Sequence, residues 1–126
     1  MDNNDRDSAT GDCSDRLLKI VDGGQALVAM ITVPAEHAEA VSGALIETQS
    51  AACVNVISGL TSVYRWKGKV CRDSETLLIV KTNQQNRQAV ADVLTKHHPY
   101  EEPELIFLPI TSGSQSYLTW LSDMVR

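Results

Sequence analysis

Two strand-like stretches, Ala52 to Trp66 and Lys69 to Thr82, flank a single Lys67-Gly68 pair, and this arrangement constrains the chain more than any other feature in it. Val54, Val56, Val63 and Tyr64 mark the first stretch; Val70 and Leu77-Leu78-Ile79-Val80 mark the second. β-Branched and aromatic side chains suit a pleated, half-buried surface. A two-residue Lys-Gly loop fits a tight primed turn, because glycine takes positive φ without steric cost. Each arm then spans about 14 residues, or roughly 46 Å at ~3.3 Å per residue, against ~5–6 residues for an ordinary strand. Gly59 marks a bulge or bend on the way out. A ribbon this long must project beyond its own sheet, and two strands alone are marginally stable in water. With Tyr64 and Trp66 near its tip, the ribbon is expected to be covered by other copies of the chain.

The remaining elements follow from periodicity. Ala26 to Val33 (ALVAMITV) is a continuous apolar run stopped by Pro34, which predicts a central strand. Pro34 suits the first turn of a helix, and Ala38, Val41, Leu45 and Thr48 give that helix one apolar face, ending near Gln49-Ser50. After the hairpin, Thr82 and Gln85 match a capping box with Thr82 as N-cap. Ala89, Val90, Val93, Leu94 and His97 recur at helical spacing until Pro99 stops the helix at His98. Leu105 to Ile110 predicts a fourth strand, and Ser114 to Val125 a closing helix. The order β-α-β-β-α-β is the split βαβ arrangement. The fold class expected is therefore α+β: a ferredoxin-like sandwich with a long β-hairpin and a C-terminal helix. Helices would cover one sheet face, leaving the other for subunit packing.

The 126 residues suit a single domain, and 43% apolar residues are ample for one core. The longest apolar run has eight residues, Ala26 to Val33, far short of the ~20 of a spanning helix, so no membrane partner is expected. A net charge of −5 argues against nucleic acid, which needs a basic face. Residues 1–24 hold six acids and three bases, a net −3 of that total, and end in Gly23-Gly24. They read as a disordered acidic leader, with the domain at residues 25–126. The opening MDNNDRD has no basic or apolar region of a secretory signal. Cys13, Cys53 and Cys71 lack disulfide or zinc spacing, so reduced thiols in a cytoplasmic protein are the expectation.

His97-His98 is the pair most suggestive of chemistry, since imidazole binds copper, zinc and nickel near neutral pH. Adjacent helical residues diverge by ~100°, but Pro99 breaks that geometry and could free His98. The structural alternative has His97 on the helix face and His98 capping its C-terminus. Glu101, Glu102 and Glu104 follow at once, either completing a metal site, supplying a general base, or pairing with a neighbour's Arg65 or Lys67. Cys53 opens an apolar strand as a small buried residue or a soft ligand. No nucleophile elbow, phosphate-cradling loop or HExxH occurs, and no catalytic residue or enzyme activity is expected.

With these residues in view, the chain resembles the CutA family of divalent-ion tolerance proteins. The likeness rests on ITVP at Ile31 to Pro34, AACVNVI at Ala51 to Ile57, SVYRWKGK at Ser62 to Lys69, LLIVKT at Leu77 to Thr82, HHPYEEPELIFLPI at His97 to Ile110 and YLTWL at Tyr117 to Leu121. The resemblance implies a homotrimer assembled like PII signalling proteins, with the long hairpins wrapping neighbouring subunits. It further implies a role in tolerance of copper and other divalent metal ions, with metal ligands at His97, His98 and Cys53. Ile31 stands where some bacterial members carry a first-strand cysteine. Without that thiolate, tight Cu(I) binding is not expected, and a two-imidazole site, shared with Glu101 or Glu104 of another chain, would suit Cu(II) or Zn(II) more weakly. The alternative function is a PII-like signalling or scaffold trimer that binds a small molecule or partner protein between subunits.

Overall fold

The computed structural model describes residues 17–126. Four strands form one antiparallel sheet: β2 (Ala26–Val33), β3 (Cys53–Trp66), β4 (Lys69–Asn83) and β5 (Ile106–Pro109), in the spatial order β3-β4-β2-β5. Helices α1 (Ala38–Glu47) and α2 (Arg87–His97) fill the two crossovers, and α3 (Gln115–Met124) follows the last strands. This is the expected α+β ferredoxin-like order.

The core follows from strand alternation. Ala29 pairs with Val80 and Ile31 with Leu78, so all four point to one face. There they meet Val41 and Leu45 of α1 and Val90 and Leu94 of α2, all essentially buried. Met30 pairs with Ile79 on the opposite face, and Ile57, Ile106 and Leu108 share that side at 47%, 48% and 45% exposure. Among the described residues, only the end of this second face is covered, where Leu121 of α3 and Val125 just beyond it pack against Ala26.

The ribbon projects as its length demands. β2 pairs with β4 from Thr76 to Asn83, so among the described residues Lys69 to Glu75 have β3 as their one strand neighbour. A bulge marks the departure point: Ile57 pairs with Leu77 but Leu60 with Glu75, and Gly59 takes φ +85°. The tip is a primed turn, Lys67 and Gly68 having φ of +50° and +80°. Beyond the sheet, Val63 and Val70 are exposed on one ribbon face and Tyr64 and Trp66 on the other.

Three sequence expectations need correction. The leader boundary at residue 24 is too late: Ile20–Asp22 forms β1, antiparallel to β6 (Ser112–Ser114). Three residues with one polar end gave no periodicity to detect. Residues 1–16, including Cys13, lie outside the described residues. Thr82 is not the N-cap. Its hydroxyl is buried and donates to the Ser50 carbonyl at 2.6 Å, whereas the Asn83 side chain accepts from the Asn86 N–H. Asn83 caps as well as threonine does, and burial of Thr82 decides between them. Finally, Pro34 precedes a single 3₁₀ turn, Ala35–His37, before α1 proper.

Candidate functional site

Pro99 builds the site. It disfavours helical backbone at His98, which adopts φ −87° and ψ 135° and leaves α2. The His98 ring thereby turns inward, 9% exposed, with Nε2 2.8 Å from the Thr32 carbonyl. Its Nδ1 accepts from the Tyr100 backbone N–H at 3.2 Å. A neutral imidazole has one donor and one acceptor nitrogen, so Nε2 carries the proton and donates to Thr32. Both nitrogens are thus committed to the protein.

The Tyr100 ring stacks at a tilt on His98, centroids 4.9 Å apart, and its hydroxyl donates to Glu75 Oε2 at 2.8 Å. Glu75 is buried at the root of the ribbon. On the same face of β4, Asp73 accepts from the Tyr64 hydroxyl, a diagonal cross-strand pair. The two tyrosines are therefore each backed by a carboxylate. The hydrogen bond to Asp73 is the largest influence pushing the Tyr64 phenol up to about 12. Burial, then the hydrogen bond to Glu75, pushes Tyr100 upward as well. Both phenols stay neutral donors at physiological pH. Between ribbon and loop lies a cavity of about 300 Å³ lined by Tyr64, Trp66, Pro99, Tyr100, Glu101 and Glu102.

The structure separates the three residues expected to hold metal. His97 is half-buried at the end of α2, while His98 is turned into the protein. Cys53 is half-buried at the far end of the sheet, its Sγ 3.9 Å from Lys81 Nζ, which itself donates to Asn55 Oδ1. Cys53 pairs with Lys81, and Lys81 pairs with Val28, four positions from the Thr32 that His98 holds. Four strand residues are roughly 13 Å. Among the described residues, no three His, Cys, Asp or Glu side chains are grouped to hold a metal ion. His97, His98 and Cys53 do not fit a resident metal centre within one chain. Of the expected carboxylates, Glu101 and Glu102 reach the cavity, whereas Glu104 is exposed and outside its lining.

Sequence reasoning missed Tyr100, Glu75 and Asp73. The signal was faint: two acids at alternate positions put charge on one strand face, but the tyrosine partner of Glu75 lies 25 residues away. Among the described residues, no helix is long and apolar enough to cross a membrane.

The family model described as CutA1 divalent ion tolerance protein matches residues 27–124. A divalent-cation tolerance protein CutA of Thermus thermophilus is 45% identical over 97 residues, covering 76% of this chain and 94% of its own. The crystal structure of CutA1 from Oryza sativa superposes with a TM-score of 0.78 at 41% identity, covering 81% of this chain and 94% of that one. A PII-like protein CutA from Nostoc sp. in apo form gives a TM-score of 0.73 at 28% identity, covering 79% and 97% respectively.

Proposed function

The chain belongs to the CutA1 divalent ion tolerance family, and from that premise we propose that it acts in divalent-cation tolerance as a cytoplasmic, non-enzymatic homotrimer with binding clefts between its subunits. The observation that carries the reading is the projecting ribbon beside an apolar sheet face. Val63, Tyr64, Trp66 and Val70 on the ribbon, and Ile57, Ile106 and Leu108 on the sheet, are all 40% exposed or more. Fully burying one such side chain contributes roughly 1.5–3 kcal/mol. A neighbouring copy that covers these residues stabilises both partners, and cyclic symmetry lets each ribbon cover the next subunit's face. Free thiols at Cys53 and Cys71 favour a reducing compartment.

Copper or another divalent ion is cargo in this reading rather than a resident cofactor. Of the three expected ligands, His98 and Cys53 are engaged within the chain, which leaves His97, together with donors from a neighbouring copy, to meet it. The second reading, a PII-like signalling trimer that takes a small molecule, is favoured by the cavity of about 300 Å³ beside the ribbon.

The test is a copper challenge of cells deprived of their own family member. Expression of this chain restores growth, and a Tyr64→Ser/Trp66→Ser/Val70→Ser chain that no longer assembles does not. No rescue by the intact chain, or equal rescue by the unassembled one, contradicts the proposal. Calorimetric titration with Cu(II) adds the molecular arm: His97→Ala should abolish the binding heat, and unchanged heat removes His97 from the cargo site.

A further inference from the structure

The cavity and the strand behind it are acidic. Glu75 is 5% exposed, and its one hydrogen bond comes from the Tyr100 hydroxyl. Asp73 receives only the Tyr64 hydroxyl, and Glu101 and Glu102 line the wall. Among the described residues, no lysine, arginine or histidine forms an ion pair with any of the four. Among the described residues, the cavity lining carries two carboxylates and no lysine, arginine or histidine.

The wall suits one kind of cation. Three aromatic rings, Tyr64, Trp66 and Tyr100, face the same cavity, and aromatic faces attract positive charge. Hydroxyls that donate to carboxylates pass electron density into their rings, so Tyr64 and Tyr100 are the more attractive for it. Trp66 already serves as such a platform, with Lys67 Nζ 5.9 Å from its ring centroid. A metal ion needs convergent lone pairs, and the acids here are not grouped to supply three. An organic cation needs ring faces and diffuse negative charge instead. The volume lies at the small end of ligand pockets, enough for a compact head group.

We infer that this cavity receives a small organic cation of the alkylammonium class, seated against Tyr64, Trp66 and Tyr100 with Glu101 and Glu102 as its counter-charges. The inference rests on the reading of the chain as a ligand-binding oligomer and gives that ligand its chemistry.

Choline and neohexanol, which differ by a quaternary nitrogen in place of a carbon, separate charge from shape. Both are titrated calorimetrically into the full-length protein, with light scattering on the same sample. Choline should bind saturably and at least about tenfold tighter than neohexanol. Glu101→Gln/Glu102→Gln should weaken choline about tenfold while leaving the scattering mass unchanged. An intact oligomer with no saturable choline binding overturns the inference, as does equal binding of neohexanol. So does a Glu101→Gln/Glu102→Gln protein that dissociates while the wild type ignores choline, because a neighbour's lysine or arginine then fills the cavity. A monomeric wild type strikes the oligomer reading instead, and choline against neohexanol still decides the chemistry of the cavity.

Discussion

His98 and Thr32, 66 residues apart in sequence, are joined by a 2.8 Å hydrogen bond from an imidazole Nε2 to a central-strand carbonyl. The bond anchors the loop that carries Tyr100 onto β2. His98→Ala leaves a buried carbonyl without its partner and should cost about 1–3 kcal/mol. His97→Ala, at a half-buried position, should cost no more than about 0.5 kcal/mol. Urea unfolding of the two variants checks this, and equal losses would remove the anchoring role from His98.

Tyr64 supplies a pH dependence. Its folded-state value of about 12 lies above the ordinary 10.0, with the hydrogen bond to Asp73 as the leading cause. The protonated phenol is the form the fold favours. Its contribution to stability is therefore complete below pH 10 and is lost as pH climbs through about 12. Spectrophotometric titration of the phenolate band should show a late-ionising tyrosine that moves back toward 10 in Asp73→Asn. An unmoved titration would mean that the Tyr64–Asp73 pair does not form in solution.

Gly23 is fixed by contact. A Cβ there would stand 1.6 Å from the Ile110 carbonyl oxygen, and backbone cannot yield that far. Gly23→Ala should detach β1 from β6 and leave the main sheet folded. Hydrogen exchange should then quicken at Ile20–Asp22 and remain slow in β2 and β4. Retained protection across β1 would contradict the contact.

The ribbon tip isolates backbone strain, because a Cβ at Gly68 would meet nothing within 4 Å. Gly68→Ala at φ +80° should cost about 1–2 kcal/mol. Lys67→Asn, at φ +50°, should stabilise by up to about 1 kcal/mol, since asparagine tolerates this backbone. Thermal unfolding of both variants gives the signs, and effects in the same direction would refute a primed turn.

The ribbon was legible because length, alternation and a Lys-Gly turn are all local signals. Pro99 likewise fixed where α2 ends. The cavity was not legible, since Tyr100 meets Glu75 only after α2 has carried the chain back to the ribbon. Within one chain the expected metal ligands lie apart for a related reason. Adjacent in sequence, His97 and His98 part as soon as the helix ends, and Cys53 lies at the far end of the sheet. The N-terminal strand was hidden by its brevity, and the choice of cap by burial at Thr82.

The central claim is that neighbouring copies cover the ribbon and the apolar sheet face. Light scattering at micromolar concentration tests it most directly. A homogeneous particle of three chains, broken into single chains by Tyr64→Ser/Trp66→Ser/Val70→Ser, is the result expected. A monodisperse, fully folded wild-type monomer would contradict it.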